Sequence, residues 1–187
     1  MDKKALTIIA LNKSKSSPGN FVLVMEEDKG DRRLPIIIGA FEAQSIAIAL
    51  DGLKPPRPLT HDLMLTLMDD QGSELKEVVI ADFREEIFYA ELVIKREGKE
   101  SRISCRTSDA VALAIRNPCP IFTNESVLAA AGQKLNSAGQ PVDQSRKIED
   151  LNIEELQKKL EEALDQEDYE AAQQIRDLIE QKKAQDS

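Results

Sequence analysis

"RRLPIIIGAFEAQSIAIAL", Arg32 to Leu50, carries the change of period on which the fold turns. Its first part is a short β-branched run that reads as a strand, and Gly39 stands where that strand must hand over to a helix. Beyond it, Phe41, Ile46, Ala49 and Leu50 recur at helical spacing, and Gly52 ends the run. Towards the N-terminus, "ALTIIAL" and "FVLVME" are two apolar runs separated by "KSSPGN", a hairpin signal. The opening "MDKKALTIIALNKSK" has basic residues before an apolar run. That run stops at Leu11 and is broken by Thr7, so it reads as a first strand and not as a signal peptide.

Towards the C-terminus, "KPPRP" is a rigid loop, because proline fixes φ and removes donors. A second helix is expected from His61 to about Met68, capped by Thr60 and ended before Gly72. "ELKEVVIADF" and "IFYAELVIKR" pair around "REE", and "SRISC" adds a strand. "SDAVALAIRN" is a helix that stops before Pro118. "PIFT" and "NESVLAAAG" supply a short strand and a closing helix, with Asn124 as its cap. The order β-β-β-α thus occurs twice, over about 5–52 and 75–117, which suggests an internal duplication with slight residue identity. The expectation is an α+β domain over 1–132, with a mixed sheet and packed helices.

From Gln133 to about Asp150 the composition is that of a flexible linker. Residues 151–187 are strongly helical. Asn152 with Glu155 forms a capping-box pattern. Ile153, Leu156, Leu160 and Leu164 make one apolar stripe, and Tyr169, Ala172, Ile175 and Ile179 a second. This is a helical hairpin, and so small a unit gains by pairing with another surface.

The chain of 187 residues has a net charge of −9. Residues 1–132 carry −3 of this and residues 133–187 carry −6. No basic face is required, so any contact with RNA or DNA is local. The acidic tail favours docking to protein over docking to DNA. Cys105 and Cys119 do not have the spacing of a metal knuckle or a disulfide framework, and they read as reduced thiols in a cytoplasmic protein. No stretch is apolar enough to span a membrane. The hairpin and a sheet edge both invite a homo-oligomer.

The segments "RRLPIIIGAFEAQSIAIAL", "RPLTHDL", "FYAEL" and "CRTSDAVALAIRNPCPIF" together resemble the bifunctional nuclease family over about residues 5–132. Thr107 stands where that family's pattern has a proline, and threonine can also open a helix. "LEEALDQEDYEAAQQIRDLI" is similar to the UVR motif, the helical hairpin of UvrB and UvrC and a protein-interaction element. The first resemblance implies cleavage of RNA and DNA. A non-enzymatic regulatory or adaptor protein that binds an anionic ligand or a protein partner is the alternative.

Phosphodiester cleavage needs an activated nucleophile and groups that neutralise charge on phosphorus. Three helix starts hold such groups, where free N–H groups and the dipole favour anions. His61, Asp62 and Asp109 are the catalytic candidates. Arg57, Arg106, Thr60 and Ser108 are candidates for binding substrate. Glu42, Asp62 and Asp109 would suit Mg²⁺ or Mn²⁺, which prefer oxygen ligands, although no dense ligand motif stands behind them. Each residue also has a structural reading. Glu42 and Asp109 are acids in a first helical turn, and Asp62 could pair with Arg57 or Arg106. A lone histidine is often a packing residue, and Thr60, Thr107 and Ser108 are capping hydroxyls.

Overall fold

The strand–glycine–helix passage forms as expected. Strand β3 spans Arg32–Ile38 and helix α1 spans Ala40–Leu50, with Gly39 at the N-cap position. The structure, a computed structural model, describes residues 3–136, 153–165 and 169–185. The chain divides into two units, Met1–Val142 and Asp143–Ser187.

In the first unit, β1 (Lys3–Lys13) and β2 (Phe21–Glu27) precede β3 as an antiparallel meander. The alternation along β2 is regular: Leu23, Met25 and Glu27 are buried and their neighbours are not, as a half-buried strand requires. Helix α1 ends in a Schellman motif. Leu53 N–H reaches Ile48 O at 3.0 Å and Gly52 N–H reaches Ala49 O at 3.1 Å, while Gly52 takes φ +64°, a conformation that glycine adopts without a Cβ penalty.

Helix α2 (Thr60–Asp70) follows the proline loop, and a second meander comes next: β4 (Ser73–Arg84), β5 (Ile87–Arg96) and β6 (Lys99–Arg106). β6 runs directly into α3 (Thr107–Arg116). Strand β7 (Ile121–Asn124), helix α4 (Glu125–Ala131) and the two-residue strand β8 (Gln133–Lys134) complete the unit.

The described residues form one eight-stranded sheet in the order β6-β5-β4-β7-β1-β2-β3-β8. The two meanders therefore flank β7, which pairs antiparallel with β1 and parallel with β4. Each meander feeds a helix, and these two helices, α1 and α3, pack on each other. The repeated β-β-β-α order is thus realised as two units running in opposite directions across one sheet.

Helix α3 lies against β4, β5 and β6 and also touches α1 and α2. Seven of its ten residues are buried, which explains why its apolar pattern runs nearly all round. Helix α2 is its opposite, because none of its residues is buried.

Three local expectations are corrected. Thr60 is the first residue of α2 and Leu59 occupies the cap. The Leu59 N–H donates to Asp62 Oδ2 at 2.8 Å, the acid in the third helical position reaching back to the cap as in one half of a capping box, while Leu59 itself has no side-chain oxygen to offer the first turn. Asn124 does sit at the cap of α4, but its side chain makes no capping bond and instead donates to Ala81 O at 2.9 Å. Its Oδ1 is buried without a hydrogen-bond partner among the described residues. The β structure also continues past Gly132, since Arg32 and Arg33 pair with Lys134 and Gln133.

In the second unit, α5 (Ile153–Asp165) and α6 (Tyr169–Gln185) pack on each other. Leu156, Ala172, Ile175 and Ile179 are buried, and Ile153, Leu160, Ala163 and Leu178 pack around them. Leu164, expected in the stripe, is 38% exposed. The proposed Asn152 cap and most of the 133–150 linker lie outside the described residues.

Candidate active site

Helices α1, α2 and α3 begin near one another, and their first turns meet around an open cleft. Glu42, Thr60, His61, Arg106 and Asp109 line it, together with Ser45, Pro58, Leu59, Met64 and Cys105, around a cavity of about 720 Å³. A second cleft of about 640 Å³ adjoins it and is lined by Pro35–Gly39, Phe83, Glu86–Phe88, Thr107 and Ser108. Glu42 and Arg106 line both clefts and form the wall between them.

Arg106 organises that wall. It is the N-cap residue of α3, so its side chain starts at the helix mouth and reaches both acids. Its Nε donates to Asp109 Oδ2 at 2.8 Å and its Nη2 to Asp109 Oδ1 at 3.0 Å, a two-pronged fork. Its Nη1 donates to Glu42 Oε1 at 2.8 Å. The Arg106 side chain is 66% exposed, so solvent screens these pairs and they add little to stability. The bonds to Asp109 and then to Glu42 hold the guanidinium protonated well above its ordinary range.

A carboxylate–imidazole–hydroxyl chain leads inward from this wall. His61 Nε2 lies 3.2 Å from Asp109 Oδ1, and His61 Nδ1 lies 2.9 Å from Ser45 Oγ. Burial by itself pushes Asp109 up, but hydrogen bonds from Arg106 and then His61 outweigh it and hold this carboxyl below its ordinary value of 3.8. The nearby Cys105 thiol is pushed up to about 11 by burial, with the Asp109 charge adding to it. Its thiolate is therefore scarce near neutral pH.

Arg116, at the far end of α3, closes the network. It donates from Nη2 to Ser45 O at 3.0 Å and to Ser45 Oγ at 3.3 Å. It also donates from Nη1 to Ala112 O at 2.9 Å and from Nε to Asp62 Oδ1 at 2.9 Å. Only 8% of its side chain is exposed. Asp62 therefore pairs with Arg116, and with neither Arg57 nor Arg106. Among the candidate residues, the structure brings Glu42, Thr60, His61, Arg106 and Asp109 to one cleft. Asp62 stands behind it. Ser108, 8% exposed, lines the adjoining cleft, and Thr107 Oγ donates to Phe88 O at 3.3 Å. Arg57 is exposed, lines neither cleft and makes no hydrogen bond or ion pair among the described residues.

Sequence reasoning missed Ser45 and Arg116. The available signal was helical spacing. Ser45 is three residues after Glu42, and Arg116 lies two turns after Asp109, so each shares a face with a residue already singled out. Glu42, Asp62 and Asp109 do not fit a divalent cation as they stand. Arg106 occupies two of them, Asp62 is turned to Arg116, and no group of three His, Cys, Asp or Glu side chains among the described residues could hold a metal ion.

The sequence that builds this sheet and cleft matches a known family. Residues 23–136 fit the bifunctional nuclease domain, and residues 150–185 fit the UvrB/uvrC motif. The chain belongs to the bifunctional nuclease domain family. It is 50% identical to an uncharacterized protein of Mycobacterium tuberculosis over 111 residues, which are 59% of this chain and 66% of that relative. It is 25% identical to bifunctional nuclease 1 of Oryza sativa subsp. indica over 123 residues, 64% of this chain and 37% of the rice protein. Bifunctional nuclease 2 of Arabidopsis thaliana is 24% identical over 143 residues, 75% and 44% of the two chains. The chain therefore spans less than two thirds of the length of the curated relatives it matches.

Proposed function

We propose that the cleft between the starts of α1, α2 and α3 hydrolyses phosphodiester bonds of RNA, DNA or both. The observation that carries this reading is the meeting of His61, Asp109, Arg106 and Glu42 at one open cavity. Family membership, and plant relatives named as nucleases, support it.

The chemistry follows from the contacts. A phosphodiester is an anion, and Arg106 is an exposed fork shaped for two oxygens. An incoming phosphate competes with Asp109 and Glu42 for that fork, which exchanges one set of charge-assisted bonds for another. His61 lies beside the fork, held at both ring nitrogens, in position to carry a proton between the attacking and leaving oxygens. Asp109 orients the ring and offsets charge on it while it holds the extra proton. Residues 151–187 serve as a protein-docking hairpin, their net negative charge favouring a protein partner over nucleic acid.

The test is cleavage of single-stranded RNA and DNA by purified protein in EDTA, Mg²⁺ and Mn²⁺, with His61→Ala, Asp109→Asn and Arg106→Ala made separately. Each variant is expected to lose about 100-fold or more in rate. Activity that survives all three substitutions would locate the nuclease elsewhere. Binding of oligonucleotide without cleavage in any buffer would favour an anion-binding adaptor.

A further inference from the structure

Ser45 lies in the interior of α1, where a serine hydroxyl ordinarily points to solvent or back to the carbonyl four residues earlier. Here it lies 2.9 Å from His61 Nδ1, and it lines the same cavity as His61, Asp109 and Arg106. The acceptor beyond the ring sets the direction of these bonds. A carboxylate only accepts, so His61 Nε2–H donates to Asp109 Oδ1 at 3.2 Å. The other nitrogen of the neutral ring, Nδ1, is then an acceptor, and the Ser45 hydroxyl donates to it. A guanidinium only donates, so Ser45 Oγ also accepts from Arg116 Nη2, 3.3 Å away. Hydroxyl, imidazole and carboxylate stand in the order that activates a serine nucleophile, with the two ring nitrogens exchanging their more common partners.

We propose that Ser45 is the nucleophile of a Ser45–His61–Asp109 triad and carries the phosphoryl group of the substrate through a covalent intermediate. The proposal rests on the reading of this cleft as a phosphodiester-cleaving site. Ser45 Oγ attacks phosphorus as its proton passes to His61 Nδ1. The phosphorus bond to the leaving ribose or deoxyribose oxygen breaks, and that oxygen takes the proton from His61. Water then attacks phosphorus and passes a proton to His61, the Oγ–P bond breaks, Ser45 Oγ takes that proton from His61, and the phosphate monoester departs. The net reaction consumes one phosphodiester and one water and needs no other reactant. Arg116, beside Oγ, offsets the charge that develops on it, and Arg106 anchors the phosphate oxygens from the cleft wall.

The test treats the full chain with a biotinylated alkyl fluorophosphonate, which loses fluoride to an activated serine. The site is read by mass spectrometry, with a known serine hydrolase labelled in parallel. One adduct per chain on Ser45 is expected. It should be absent in Ser45→Ala and form about 100-fold more slowly or worse in His61→Ala, with circular dichroism confirming that each variant is folded. A second probe, bis(4-nitrophenyl) phosphate, should give a stoichiometric burst of 4-nitrophenolate and a phosphorylated Ser45 peptide. No adduct on wild-type Ser45 while the reference hydrolase is labelled, or equal labelling of Ser45→Ala, overturns the proposal. The two readings fail separately. Nucleic-acid cleavage without a Ser45 adduct leaves a nuclease that uses water as its nucleophile. A labelled Ser45 and a burst without nucleic-acid cleavage keep the triad and discard RNA and DNA as substrates.

Discussion

Three helices of the first unit begin with an acid at the same offset from the cap, and the three acids are used differently. Glu42 follows Gly39, Asp62 follows Leu59, and Asp109 follows Arg106, in each case by three residues. Asp62 takes the Leu59 N–H of its own cap and the buried guanidinium of Arg116. Glu42 and Asp109 turn to a single guanidinium, that of Arg106. The helix dipole favours an acid in any of these places, so the acids alone do not separate the cases. The cap residue does. Glycine offers no side chain, leucine offers only its N–H, and arginine offers a fork long enough to bridge two helices.

The two arginines sharpen the contrast, and the largest expected effect falls on the buried one. Arg116→Met removes four hydrogen bonds made by a side chain that is 8% exposed and leaves Asp62 without its guanidinium partner. Urea unfolding should show a loss of about 2–4 kcal/mol, the range for breaking charge-assisted bonds at a half-buried pair. A change within about 0.5 kcal/mol, typical of surface sites, would show that Asp62 is held by its own helix cap and that Arg116 is dispensable.

An intermediate effect is expected from the acid at the α3 mouth. The carboxyl of Asp109 is held below its ordinary value, so the folded state binds its proton less readily than the unfolded chain does. Its contribution to stability is complete above the ordinary carboxylate value and is lost as pH falls through the folded value. Unfolding free energy measured from pH 6 downwards should therefore decline below about pH 4, and Asp109→Asn should flatten that decline. An unchanged acid limb in the variant would assign the pH dependence to other carboxylates.

The smallest effect belongs to the α1 mouth. A Cβ at Gly39 would lie 2.5 Å from Glu42 Oε2, but that atom ends a flexible side chain and Gly39 has φ −70°, which any residue adopts. Gly39→Ala should displace the Glu42 carboxylate and change unfolding free energy by less than about 1 kcal/mol. A loss of several kcal/mol would mean that this corner requires glycine.

Most of the elements were legible because their signals are local. The apolar run "FVLVME" and the helical spacing after Gly39 act within a strand or a turn, and the structure follows them. The cap of α2 was misplaced by one residue, a local error, and the larger errors arose where a partner is distant. Asn124 looked like a capping side chain until Ala81 O, from β4, offered an acceptor. Asp62 was assigned to Arg57 or Arg106, and its partner proved to be Arg116, 54 residues on.

By itself the sequence determined two β-β-β-α passages, a helical tail, and three helix starts rich in acids, histidine and arginine. Periodicity and capping act over a few residues and leave their pattern in the text. Only the tertiary structure decided that β7 would join the two meanders and bring the starts of α1, α2 and α3 to one cleft. The contacts that build the site join residues 48, 64 and 71 positions apart. No local pattern records such pairings, because they follow from the order of strands in the sheet and from α3 packing beside α1.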